Sequence, residues 1–169
     1  MTHLTTASGE AASRLSFGTM QFGSNADETA SAQMFEACRT AGINFFDTAY
    51  VYNGGRSEEI YGTLARAETD RLITATKVAQ NLPSTASVIR DSLDTSRKRL
   101  GMDRIDLLYL HRFDNDTPLE ESIETLVALQ SEGLIRYIGV SNFAAWQTVK
   151  ANAIARSLGS RIDVSQPMY

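Results

Sequence analysis

Residues 45–52 read Phe-Phe-Asp-Thr-Ala-Tyr-Val-Tyr, and this stretch decides the fold. An apolar run typical of a buried strand ends here at the carboxylate of Asp47, and the phenol of Tyr52 follows shortly after it. Other apolar runs also end at polar or ionisable side chains, namely Lys77, His111, Ser141 with Asn142, and Gln166. In parallel α/β folds the carboxyl ends of the strands carry the active site, so these side chains are predicted to share one edge of a sheet.

Length and composition indicate one domain, or part of one, of an ordinary soluble globular type. The chain has 169 residues, 43% hydrophobic and 21% charged residues, and a formal charge of -4. It lacks the basic excess that would favour nucleic acid or anionic lipid, and no run approaches the roughly 18 apolar residues of a membrane span. Cys38 is the single cysteine, so an internal disulfide is excluded and a buried, inert thiol is predicted. Residues 1–13 are polar without an apolar signal core, so we expect a loose leader and a cytoplasmic protein.

The rest of the chain alternates predicted strands and helices. Six strands are predicted at residues 14–23, 45–47, 72–77, 104–111, 136–140 and 161–166, and five helices at 28–41, 57–67, 83–100, 118–132 and 144–158. The fourth helix has the clearest start signal, with Thr117 as N-cap, Pro118 at the first helical position and Glu120 completing a capping box. Strict alternation with near-continuous apolar strands predicts a parallel α/β fold.

Two parallel folds suit this pattern, the TIM (β/α)8 barrel and the doubly wound sheet. The dinucleotide fingerprint G-x-G-x-x-G of the doubly wound sheet is missing after the first strand, so the barrel is favoured. An eight-stranded barrel needs about 250 residues, so residues 14–169 are expected to supply six of its eight units, with the last two absent.

Several motifs together resemble the aldo/keto reductase family. The resemblance rests on residues 42–52 followed by Ser57-Glu58, on Thr76-Lys77, on 109–111 (YLH), on 133–142 (GLIRYIGVSN) and on 166–169 (QPMY), in family order. It implies a TIM-barrel enzyme that reduces a small-molecule aldehyde or ketone with NADPH. The catalytic tetrad that it implies is Asp47, Tyr52, Lys77 and His111, and the cofactor-binding residues are Thr19, Asp47, Ser141, Asn142 and Gln166.

The chemistry of carbonyl reduction suits these residue types. A hydride must reach the carbon and a proton the oxygen, so a general acid is needed that also stabilises the developing alkoxide. Tyr52 is the candidate, because an ammonium such as that of Lys77 favours an ionised phenol beside it. Asp47 would hold Lys77 charged and in place, and His111 would orient the carbonyl by a hydrogen bond.

The sequence departs from the family pattern at its end. Strands seven and eight are missing, and in the family the aromatic that stacks on the nicotinamide and the basic residues that hold the 2′-phosphate lie there. Tyr169 is not assigned that stacking role. Without those strands the barrel is expected to have two open edges through which the chain can self-associate.

Each site residue also has a plain structural interpretation, and two other functions stay open. Asp47 could cap a turn, Lys77 could be a solvated strand end, and Ser141 with Asn142 could cap a helix. The chain could therefore be a non-catalytic or regulatory barrel that acts through protein contacts. It could also be an aldolase-like barrel in which Lys77 forms a Schiff base. No metal site of usual spacing is predicted.

Overall fold

The computed structural model describes residues 3–168, which form an open, partial (β/α)8 barrel with six strands and five helices. All strand pairs are parallel and adjacent in chain order, from the first strand to the sixth. The strands are β1 Phe17–Gly18, β2 Phe45–Asp47, β3 Ile73–Val78, β4 Ile105–Leu110, β5 Ile135–Ser141 and β6 Val164–Gln166. The helices are α1 Glu28–Thr40, α2 Arg56–Ala65, α3 Ala86–Leu100, α4 Leu119–Ser131 and α5 Ala145–Ser157. The predicted fold class is confirmed.

The sheet curls, so strands that are distant in its order face each other across an interior. The amide nitrogen of Gln166 on β6 lies 3.3 Å from a carboxylate oxygen of Asp47 on β2. Deeper in the interior an apolar cluster fills the space between the strands. Its buried members are Ala75, Leu107 and Tyr109, with Phe45, Tyr137 and Val164 packed against them. A larger apolar layer lies between the sheet and the helices. The strands are therefore covered by apolar side chains on both faces.

The two edge strands are shorter than the sequence predicts. β1 has two residues rather than the predicted 14–23, because the chain turns back at once, with the Phe22 amide donating to the Thr19 carbonyl at 2.9 Å. β6 begins at Val164 rather than at residue 161. Among residues 3–168, each of these strands pairs with a neighbour on one side, so fewer ladder hydrogen bonds hold their ends.

The predicted capping box of the fourth helix is wrong. Pro118 occupies the N-cap position and α4 begins at Leu119. Thr117 lies one position before the N-cap and makes no capping hydrogen bond, and its hydroxyl donates to the carboxylate of Asp114 at 2.6 Å. The third helix likewise begins at Ala86, after Thr85, rather than at residue 83.

The segment expected to be a loose leader makes ordered contacts with the barrel. Leu4 is buried, and Thr5 pairs with Ala11 in an antiparallel bridge. The Ser13 amide donates to the side chain of Asn44 at 2.8 Å, just before β2. From His3 onward the segment therefore packs against the end of the interior at which the strands begin.

An open cavity of about 950 Å³ lies between this segment and the strands β2 and β6. Phe45 and Val164 line it together with residues of the N-terminal segment. None of the predicted catalytic side chains lines this cavity, so it lies away from them. No helix among residues 3–168 is long and apolar enough to cross a membrane.

Close packing of α2 on the end of α3 supplies a test of this fold. A Cβ at Gly62 would overlap the backbone of Leu100. We therefore expect Gly62→Ala to lower the free energy of unfolding by about 1–3 kcal/mol, although alanine is the better helix former. Urea unfolding followed by circular dichroism measures this change. Thr63→Ala, at the exposed neighbouring position, is the control and should change stability by less than about 0.5 kcal/mol. An unchanged Gly62→Ala variant would contradict the packing.

Candidate active site

Lys77 stands at the centre of the polar end of the interior. It lies near the end of β3 with only 1% of its surface exposed. Its ammonium is paired with the Asp47 carboxylate, donates to the Thr48 carbonyl at 3.0 Å and lies 3.3 Å from the Tyr52 hydroxyl. A buried charge is stable only when it is paired and hydrogen-bonded, and these three partners meet that need.

Tyr52 reaches Lys77 from a short 3-10 helix, Tyr52–Gly55, which follows β2. The Lys77 ammonium also lies 5.0 Å from the centre of the Tyr52 ring. Asn53 fixes this turn, because its side-chain amide donates to the carbonyls of Met20 and Phe22, both at 2.8 Å. The phenol of Tyr52 thus lies beside the ammonium of Lys77, as the sequence predicts.

His111 faces Tyr52 from the end of β4. It follows β4 directly, and its ring meets the Tyr52 ring edge to face at 5.8 Å between centres. The side chain is buried, and its Nδ1 atom has no hydrogen-bond partner among the residues that the structure describes. Burial, and then the positive charge of Lys77, lowers the pKa of His111 to about 4. The imidazole is therefore neutral at pH 7 and can donate one N–H to a ligand.

Asp47 completes this group from the end of β2. Burial raises the pKa of its carboxyl, while the Lys77 ammonium and the amide of Gln166 act in the opposite direction. One carboxylate oxygen contacts Lys77 and the other accepts from Gln166. Asp47 therefore connects the ammonium to the residues of the far strands.

Three of the predicted cofactor-binding residues lie together at the ends of β5 and β6. Ser141 pairs in register with Gln166, and its hydroxyl lies 3.4 Å from the Gln166 amide oxygen. The Asn142 side-chain amide donates to the His111 carbonyl at 2.8 Å. Thr19 differs from these three, because its hydroxyl is fully buried and is bonded to Ser57 and to the Asp47 carbonyl. The part predicted for Thr19 still rests on the resemblance alone.

Two residues near the site had no role in the sequence analysis. Glu58 on α2 is fully buried and accepts hydrogen bonds from Thr76 and Arg99. Tyr109 on β4 lies beneath Lys77, 5.8 Å from the ammonium to the ring centre. Glu58 belongs to the Ser57-Glu58 motif and Tyr109 to the 109–111 motif, so both positions had a signal in the sequence, but neither signal indicated a role.

The arrangement bears on the other interpretations. Tyr50 packs beneath the guanidinium of Arg99. A Schiff base needs a free amine, whereas the side-chain nitrogen of Lys77 is already bonded to the Asp47 carboxylate and the Thr48 carbonyl. Within residues 3–168, no group of three or more His, Cys, Asp and Glu side chains is placed to hold a metal ion.

Comparison with known proteins agrees with the motifs. The family model described as "Aldo/keto reductase family" matches residues 14–169. "Aflatoxin B1 aldehyde reductase member 2" of Rattus norvegicus is 34% identical over 90% of this chain and 43% of the relative. "Probable voltage-gated potassium channel subunit beta" of Oryza sativa subsp. japonica is 35% identical over 96% of this chain and 53% of the relative. "Norsolorinic acid reductase" of Aspergillus flavus is 34% identical over 92% and 46%. The chain thus spans about half the length of these relatives.

The buried, neutral state of His111 predicts how stability depends on pH. Its pKa of about 4 in the folded chain is below the usual 6.5, so only the unfolded chain takes up this proton between those values. Acidification from about pH 6.5 to about pH 4 should therefore lower the free energy of unfolding. His111→Gln removes this group, so the number of protons taken up on unfolding over this pH range should fall by up to one.

Urea titrations at steps between pH 4.5 and pH 7.5 measure this difference. Thr63→Ala, which changes no titratable group, is the control and should keep the wild-type slope. Equal slopes for wild type and His111→Gln would contradict a buried, neutral His111.

Proposed function

Because this chain belongs to the aldo/keto reductase family, we propose that the protein, in a form with all eight barrel units, reduces an aldehyde or ketone to the alcohol with NADPH. One observation carries the proposal. The hydroxyl of Tyr52 lies 3.3 Å from a buried ammonium that is itself paired with Asp47. A phenol beside a fixed positive charge is suited to give up its proton to a carbonyl oxygen.

The cofactor fits the side chains at the ends of β5 and β6. A nicotinamide carboxamide needs both donors and acceptors, and the hydroxyl of Ser141 and the amides of Asn142 and Gln166 offer both. These three residues would hold the ring, with Gln166 tied to Asp47. When bound, NADPH would supply the hydride to the carbonyl carbon.

The remaining steps belong to the side chains around Lys77. Tyr52 transfers its phenolic proton to the carbonyl oxygen, so that the hydride and this proton together give the alcohol. The ammonium of Lys77 stabilises the phenolate that is left, and Asp47 keeps the ammonium in place. The neutral imidazole of His111, across the ring of Tyr52, donates a hydrogen bond that orients the carbonyl. Solvent then restores the proton on Tyr52.

A second candidate is a barrel that acts through protein contacts. Two observations favour it: one of the relatives is named as a potassium channel subunit, and the outer edges of β1 and β6 have no strand partner among the described residues. Unpaired edges can pair with another chain. The two candidates differ in turnover, since only the first requires that a bound carbonyl be reduced.

We predict that Tyr52→Phe, in the eight-unit form, lowers kcat at least about 100-fold and leaves the Kd for NADPH nearly unchanged. The substitution removes the proton donor and no proposed cofactor contact. Lys77→Met should act similarly. Stopped-flow reduction of a simple aldehyde measures kcat, and cofactor fluorescence measures the Kd. Tyr137→Phe is the matched control, since that hydroxyl bonds to Thr5 away from the site. Retained turnover in Tyr52→Phe would reassign the acid, with His111 as the next candidate.

We also predict that the 169-residue chain alone binds NADPH weakly, self-associates and shows little reduction. The outer edges of β1 and β6 have no strand partner among the described residues, which favours association of one chain with another. The contacts of Ser141, Asn142 and Gln166 with the nicotinamide would have to offset the entropic cost of NADPH binding alone. NADPH titration by fluorescence with light scattering tests this. Micromolar binding by a monomer that also reduces an aldehyde would contradict it.

A further inference from the structure

A buried carboxylate behind the site connects the two residues on which the proposed function depends. Glu58 is fully buried on α2, the helix that begins directly after the 3-10 turn of Tyr52. One of its oxygens accepts from the Thr76 hydroxyl at 2.7 Å, and Thr76 immediately precedes Lys77 on β3. Its other oxygen accepts from the guanidinium of Arg99 at 3.2 Å. Glu58 therefore contacts the strand that carries Lys77.

Arg99 extends this link to the other residue. It lies near the end of α3, and the nitrogen that contacts Glu58 also donates to the Tyr50 carbonyl at 2.9 Å. Its guanidinium lies 4.7 Å from the centre of the Tyr50 ring. Tyr50 is two positions before Tyr52, and its amide donates to the Lys77 carbonyl at 3.0 Å. Arg99 therefore holds the chain that leads into the turn of Tyr52.

The local sequence makes room for this contact. Gly55, at the end of the turn, has a φ of +98°, a conformation that favours glycine. A Cβ there would overlap the guanidinium of Arg99, so the turn fits closely around this side chain. Glu58 and Arg99 are 41 positions apart in the chain and come from different helices.

We propose that Glu58 and Arg99 form a positioning pair that holds the phenol of Tyr52 at its contact distance from the ammonium of Lys77. The pair acts through Tyr50 on one side and Thr76 on the other, and it touches neither the proposed substrate nor the cofactor. Asn53 supplies the other fixed point of the turn, on the side of Met20 and Phe22. With the pair removed, the turn keeps the contacts of Asn53 and of the Tyr50 amide but loses its attachment to α3, so the phenol of Tyr52 becomes more mobile beside Lys77.

This proposal rests on the proposed function for its catalytic meaning, so its test needs no turnover. The 169-residue chain is labelled with ¹³C at the tyrosine Cζ atoms, and the Tyr52 signal is assigned with Tyr52→Phe. Hydrogen exchange of the Tyr50 and Tyr52 amides is recorded on the same samples. The test variant is Arg99→Met. The matched control is Arg90→Met on the same helix, which breaks the exposed ion pair with Glu132.

In Arg99→Met we expect the Tyr52 signal to shift or broaden and the Tyr50 amide to exchange at least about tenfold faster, relative to amides in the centre of β4 and β5. Arg90→Met should leave both readouts as in the wild type. Because Arg99→Met leaves the Glu58 carboxylate buried without its cation, the double variant Glu58→Gln with Arg99→Met removes that charge as well. It should show the same two changes.

The proposal is overturned if the Tyr52 signal and the Tyr50 exchange rate are unchanged and only global stability is lost. The pair would then stabilise the packing of α2 on α3 without positioning Tyr52. In the eight-unit form, the positioning role further predicts a lower kcat for Arg99→Met at an unchanged Kd for NADPH. If the wild-type eight-unit form reduces no carbonyl, the proposed function fails, while the Tyr52 signal still decides whether the pair positions the phenol.

Discussion

The ion pair of Lys77 with Asp47 is the interaction on which the rest of the structure depends. Taking an ammonium and a carboxylate out of water costs several kcal/mol for each ion, and that cost is offset only if the geometry is good and the remaining hydrogen-bonding capacity is satisfied. The partners must therefore come together from different strands at one level. Parallel pairing in sequential register does this, since β2 and β3 are adjacent and end on the same side of the sheet. Thr48 follows β2 directly, whereas Tyr52 reaches the pair from the turn after β2 and Gln166 reaches it from β6 across the interior.

The interior is divided into an apolar and a polar layer by the alternation of the strands. Side chains two positions apart on a strand point to the same face, so each polar residue has an interior neighbour below it. Phe45 lies below Asp47, Ala75 below Lys77 and Tyr109 below His111, and these belong to the apolar interior cluster or pack against it. Gly139 leaves the space that the Tyr109 ring fills. The apolar layer thus keeps the effective dielectric low beneath the ammonium, which strengthens its interactions with Asp47 and Tyr52.

The sequence predicted the fold, and it predicted that Asp47, Lys77 and His111 lie at one end of the sheet, because both follow from local patterns. Apolar runs that stop at Asp47, Lys77 and His111 are visible without any knowledge of contacts. Prediction failed where a side chain has competing hydrogen-bond partners, or where its partner is distant in the sequence. Thr117 has the side chain and spacing of an N-cap residue, but its hydroxyl donates to Asp114 and Pro118 occupies the N-cap position. The contact of Glu58 with Arg99 has no signature in residue spacing, since nothing local fixes the angle between α2 and α3.

Backbone strain is concentrated at the same end of the sheet as the buried charge. Three non-glycine residues among residues 3–168 have positive φ, namely Asn53 at 51°, Ala79 at 61° and Asn142 at 56°, and they follow β2, β3 and β5. A left-handed conformation costs roughly 1–2 kcal/mol per residue, so it persists only where surrounding contacts enforce it. The side chain of Asn53 bonds two carbonyls, that of Asn142 bonds the His111 carbonyl, and Ala79 is buried. Ala79 and Asn142 thus turn the chain directly after β3 and β5, and Asn53 lies in the turn that carries Tyr52. The apolar layers beneath supply the stability that offsets the cost of these conformations.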